Sequence, residues 1–121
     1  MFRRTLFLLG AMALLSVALT ACGGGASGGG QPLNVTVTLN EFKFDPATVN
    51  ATPGQTINLT VKNIGSVPHT WVLPAANVKL NVDPGKSDTK TFTAPAAGSY
   101  DIQCDIAGHK EAGMIGKLIV K

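Results

Sequence analysis

Cys104-Asp105-Ile106-Ala107-Gly108-His109-Lys110-Glu111-Ala112-Gly113-Met114 sets a thiol, an imidazole and a thioether into one short loop in the pattern C-x4-H-x4-M. Upstream of it, Tyr100, Ile102 and Cys104 fall on one face of an alternating segment, Ser99–Cys104. Downstream, Lys117–Val120 alternates again, so the loop joins two strands. A single loop can wrap three side chains around one centre, but three donors under-hold a metal ion. A fourth stands far upstream at His69, within Pro68-His69-Thr70-Trp71. An unpaired thiol in an oxidising compartment is a liability unless something occupies it, and a buried thiolate needs a positive partner.

The chain before this loop repeats the strand pattern. Leu33, Val35, Val37 and Leu39 alternate with Asn34, Thr36, Thr38 and Asn40, and Ile57, Leu59 and Val61 alternate with Asn58, Thr60 and Lys62. A period of two marks strands with one buried face. Further short strands are predicted at His69–Leu73, Val78–Val82 and Lys90–Thr93. Turn chemistry separates them at Thr52-Pro53-Gly54, Asn63-Ile64-Gly65, Asp83-Pro84-Gly85 and Ala97-Gly98. No amphipathic helix is readable. Short strands at near-regular spacing predict an all-β sandwich, with Phe42, Phe44, Trp71, Phe92 and Tyr100 adding bulk to its core.

The first residues stand apart from this domain. Met1-Phe2-Arg3-Arg4 is basic, Leu6 to Leu19 is an apolar run, and Leu19-Thr20-Ala21-Cys22 closes it with small residues. That is the layout of a signal peptide over residues 1–21, too short for a comfortable membrane span of about 20 apolar residues. Its ending resembles a bacterial lipoprotein signal, in which Cys22 would carry lipid and become the first mature residue. Residues 22–32 then form a Gly/Ser-rich tether, and residues 33–121 the folded domain. With Cys22 lipidated, Cys104 has no disulfide partner in the chain, which holds two cysteines. The formal charge of +3 includes Arg3 and Arg4, the only arginines, so the mature part is near +1. It has no basic run, which excludes nucleic acid as a natural partner.

The donor set narrows the metal. Structural zinc prefers a closed tetrahedron of Cys and His, often from C-x2–4-C pairs, and gains little from a thioether. Copper accepts two imidazoles, one thiolate and a long, weak axial Met, the composition of a blue-copper electron-transfer site. A dinuclear copper centre would need a second thiolate in the loop. Methionine-cluster copper carriers fit poorly, since Met1 and Met12 lie in the leader and Met114 remains alone.

From about Asn34 to Lys121 the chain resembles the cupredoxins, the family of plastocyanin, azurin and auracyanin. The matching residues are Pro68 to Leu73, Gly98 to Cys104 and Gly108 to Met114; the four-residue gaps around His109 are most like auracyanin and its bacterial relatives. The resemblance implies a Greek-key β-sandwich holding one type 1 copper ion, with His69, Cys104 and His109 in the trigonal plane and Met114 axial. It also implies that the backbone N–H of Thr70 lies near the Cys104 sulfur and that His109 is the more exposed ligand. Thr70 stands where many relatives have Asn, and Pro68 where azurin has Gly. Gly108, with Ala107, Ala112 and Gly113, would form a low rim around His109 for docking.

The function expected is a monomeric one-electron carrier. It would be exported, lipid-anchored at the outer face of a bacterial membrane in the periplasmic or extracytoplasmic space, and would work with redox proteins such as cytochromes or membrane oxidoreductase complexes. The chain has two histidines, both assigned as ligands, so no nucleophile–base–orienter set remains and no enzyme is expected. The alternatives are a copper protein for storage or delivery and a metal-free interaction module.

Overall fold

A computed structural model describes residues 30–121. The expected leader and Cys22 lie outside the described residues, as does all but the last part of the tether. Nine strands follow one another: β1 Leu33–Asn40, β2 Lys43–Asp45, β3 Thr48–Ala51, β4 Thr56–Asn63, β5 His69–Leu73, β6 Val78–Val82, β7 Ser87–Thr93, β8 Gly98–Gln103 and β9 Ile115–Val120. A single 3-10 turn, Pro74–Ala76, joins β5 to β6, and no α-helix occurs among the described residues.

The strands form two sheets packed as a β-sandwich, ordered β2-β1-β4-β7 and β3-β9-β8-β5-β6. Both sheets are mixed. β1 pairs with β4 in parallel, from Leu33 opposite Ile57 to Leu39 opposite Asn63, and β3 pairs with β9 in parallel. A parallel pair needs a long crossover, and here the chain visits the second sheet through β3 before returning as β4. This interleaving of the sheets is the Greek-key arrangement.

Alternation decides what is buried. Val37, Leu39, Ile57, Leu59 and Val61 face inward from the first sheet and are at most 1% exposed; Trp71, Leu73, Leu80, Ile102 and Leu118 answer them from the second. Fully burying each such side chain stabilises the fold by about 1.5–3 kcal/mol. The outward face of the first sheet is polar, with Asn58 donating to Asn34 at 2.9 Å and accepting from the Thr91 hydroxyl at 2.9 Å.

The structure departs from the sequence reading at two strands and three aromatic rings. β2 and β3 are too short, at three and four residues, for a period to show. Phe44 and Trp71 are in the core, but Phe92 and Tyr100 are half-buried, and the Tyr100 hydroxyl turns outward to the Ala96 carbonyl at 2.6 Å. Phe42 is 41% exposed, because it sits in the β1–β2 turn with a positive φ of 61° and its ring leaves the sandwich. A non-glycine residue in that region costs about 1–2 kcal/mol, so the placement is enforced by its surroundings.

Candidate metal centre

The polar groups of the sandwich interior gather at one end of it. His69 opens β5, Cys104 follows β8, and His109 lies in the turn segment between β8 and β9. One donor atom from each lies within 4.8 Å of the others, the one such group found among the described residues. His69 Nδ1 is 3.2 Å from His109 Nδ1, and Cys104 Sγ is 3.5 Å from His109 Nδ1. Two imidazole nitrogens and a thiol sulfur thus converge on a common point, and each ring presents its Nδ1 to it.

The surroundings keep them there. Cys104 and His69 are fully buried, whereas His109 is half-buried. Met114, also fully buried, is tied to the same loop through its main chain: its carbonyl accepts the Cys104 N–H at 3.1 Å, and its own N–H donates to the His109 carbonyl at 3.0 Å. The segment between closes on itself, with His109 N–H to Ile106 O at 3.0 Å, Ala112 N–H to Gly108 O at 3.1 Å and Gly113 N–H to Lys110 O at 3.0 Å. Gly108 and Gly113 take φ of +85° and +104°, where a side chain would be strained. This is why the small residues stand on either side of His109.

Thr70 binds the two halves of the cluster. Its backbone N–H points to Cys104 Sγ at 3.4 Å. Its hydroxyl accepts the Asp105 N–H at 2.9 Å and lies 2.8 Å from Asp105 Oδ1, to which it donates; with its single proton so used, the N–H is the donor left for the sulfur, 3.4 Å from the hydroxyl oxygen as well. Lys79 completes the chain, 2.6 Å from Asp105 Oδ2, and these contacts with Lys79 and then Thr70 hold the Asp105 carboxyl below its ordinary range. The Thr70 side chain therefore braces the loop. Pro68 is exposed and lines, with Thr70, Lys79 and Asp105, an open groove of about 420 Å³ beside His69.

The electrostatics favour a neutral His69. Burial pushes the proton affinity of His69 down, and the neighbouring His109 adds to the effect, against a smaller opposite pull from Glu41. A neutral imidazole has a lone pair to give, and a soft sulfur donor beside two imidazole rings suits copper better than a hard cation. The donor chemistry therefore fits the ion.

Three residues absent from the sequence-derived site also belong to it. Phe42 sets its ring against His109, with centroids 5.1 Å apart at 80°. Asn63 is 2% exposed; its amide donates to the carbonyls of Val67 and Val82 at 2.8 Å each, and its Oδ1 accepts the Gly65 N–H at 2.9 Å, pinning the segment that leads into His69. Glu41 faces His69 from the β1–β2 turn. Asn63-Ile64-Gly65 carries only a turn signal in sequence, and nothing in the sequence places Phe42 or Glu41 beside the histidines.

Comparison with known proteins agrees with this geometry. The chain is 30% identical to auracyanin-A of Chloroflexus aurantiacus, the alignment spanning 95% of this chain and 96% of that one. It is 31% identical to the copper-resistant cuproprotein CopI of Rubrivivax gelatinosus over 70% of this chain, and spans 64% of that relative's length. Among solved structures, the dithionite-reduced auracyanin of the photosynthetic bacterium Roseiflexus castenholzii superposes with a TM-score of 0.68 at 26% identity, covering 76% of this chain and 99% of that one. The cupredoxin-like domain family matches residues 9–120, and the chain belongs to that family.

Proposed function

We propose that the protein is a one-electron carrier whose single copper ion would be held by His69, Cys104 and His109, with Met114 as a further, weaker donor. The observation that supports this most is the convergence of three donor atoms within 4.8 Å on a frame of strands and self-bonded turns. When bound, copper supplies a one-electron couple between its two common oxidation states. The chain's own part is to keep the donors in one arrangement, so that little reorganises when the charge changes. Burial of Cys104 and His69 excludes water, and the Thr70 N–H stabilises negative charge on the sulfur.

His109 is the donor that reaches the surface, and Phe42, 41% exposed, lies against it. With the low rim of Ala107, Gly108, Ala112 and Gly113, this end is where a redox protein such as a cytochrome or a membrane oxidoreductase complex would dock. β1 begins at Leu33 and ends beside Glu41 and Phe42, a length of about 25 Å at 3.3 Å per residue. A tether of residues 22–32, lipidated at Cys22 after removal of residues 1–21, would join the domain at the end remote from His109. The protein would then sit as a monomer on the outer face of a bacterial membrane with its metal end turned outward.

Copper storage or delivery is the second reading, supported by the likeness to the copper-resistant cuproprotein. One experiment separates them. The copper(II) protein is bleached with ascorbate, incubated with a copper(I) chelator and reoxidised. A carrier recovers its full colour with one copper per chain; a delivery protein surrenders the metal and stays colourless.

A further inference from the structure

His69 is 0% exposed, and its Nε2 has no hydrogen-bond partner. Leaving a buried polar group unpaired costs about 1–3 kcal/mol, so an enclosed orphan nitrogen at a ligand position requires an account. The ring's other nitrogen, Nδ1, faces His109 and the cluster. Nε2 therefore points away from the donors, and there Glu41 Oε1 stands 3.9 Å off.

The Glu41 carboxylate is itself held in place. Oε1 accepts the Ser66 N–H at 2.5 Å, and Gly65 lacks the Cβ that would collide with the carboxylate. The same loop is fixed to β1 by the Ile64 N–H, which donates to the Leu39 carbonyl at 2.9 Å. So the carboxylate is fastened to the segment Asn63–Pro68, which leads directly into His69. The 3.9 Å separation exceeds an N–H···O bond by roughly 1 Å, a gap that a small shift of the two side chains closes while the Ser66 N–H bond to Oε1 is kept.

We propose that Glu41 is the positioning residue of His69: its carboxylate accepts the Nε2 proton and thereby keeps the Nδ1 lone pair free for the metal. A neutral imidazole carries one N–H, and which nitrogen bears it is set by the hydrogen bond the other atom makes. With the proton on Nε2, Nδ1 accepts from the His109 Nδ1–H in the metal-free chain and donates to copper in the loaded one. With the proton on Nδ1, the ligand atom is blocked. An anionic acceptor also makes the imidazole a stronger donor, which favours the higher oxidation state. The inference rests on the reading of His69 as a ligand through Nδ1.

Nitrogen-15 NMR of the metal-free full chain, labelled at histidine, tests it without copper. The wild type is expected to show His69 as the Nε2–H tautomer. Glu41→Ala should lose that preference, and Glu41→Gln, whose amide oxygen still accepts, should keep it. In the loaded protein, Glu41→Ala should weaken copper(II) binding by about 10–100-fold and raise the reduction potential. Should Glu41→Ala lose its fold, Glu41→Asp, which withdraws the carboxylate by one methylene, replaces it in both measurements. A wild-type Nδ1–H tautomer, or a folded Glu41→Ala chain with an unchanged tautomer, overturns the proposal. A wild type that shows the expected tautomer yet binds no copper would instead defeat the copper reading.

Discussion

His69 and His109 offer the same atom to the same point, yet the fold holds them by different means. His69 belongs to a strand: it pairs in register with Val82 across β5 and β6, and is fully buried. His109 belongs to a run of turns bonded mainly to itself, is half-buried, and meets Phe42 at the surface. One histidine inherits its rigidity from the core, the other from local backbone bonds around two glycines. On the proposed reading, the difference separates two tasks of a carrier. The metal would have to stay fixed, and His109 would have to reach the partner.

The largest effect should come from the sulfur that completes the cluster. Cys104→Ser should abolish the intense blue absorption of the copper(II) protein entirely while leaving the sandwich folded, as judged by its far-ultraviolet circular dichroism. Next comes the frame on the His69 side. Trp71 is 2% exposed in the middle of β5, and Trp71→Ala should cost about 3–5 kcal/mol in denaturant unfolding. A cost under about 1 kcal/mol would mean that the strand does not hold the ligand.

Opening each position in turn tells the two histidines apart. His109→Gly leaves a gap at the surface, so added imidazole should restore the blue colour. His69→Gly leaves a cavity walled off from solvent, and imidazole should restore little. Equal rescue at both positions would erase the distinction. Phe42→Ala should change stability by less than about 1 kcal/mol, since the ring is substantially exposed, but should alter electron exchange with a redox partner by stopped-flow.

The smallest effect concerns the two strands that carry the loop. The Lys117 ammonium beside Asp101 holds that carboxyl below its ordinary value of 3.8. A depressed folded-state value stabilises the protein above pH 3.8 and is lost as pH falls through the lower folded value. Lys117→Met should therefore flatten unfolding stability slightly between neutral pH and that range. The pair is largely exposed and screened, so this change should be the smallest of the set.

Much of this was legible before any coordinates. Alternation placed β1, β4 and β6 because their burial is one-sided over five or more residues, and donor types in a fixed spacing marked the loop. What escaped has a common cause. β2 and β3 are too short for a period, and β3 pairs with the distant β9. Phe42 reads as a core aromatic by composition, and only the turn after Asn40, with its positive φ, carries it to the surface. Asn63 and Glu41 act on His69 through contacts spanning 4 to 28 positions, which no local pattern encodes.

If the fold fixes one set of donors, that set serves the metal in both oxidation states. Copper-edge X-ray absorption of the oxidised and reduced protein should then show one short sulfur and two imidazole nitrogens in both states, with only slight lengthening on reduction. Loss of an imidazole or gain of a water ligand between the two spectra would mean that the fold does not hold the donors fixed.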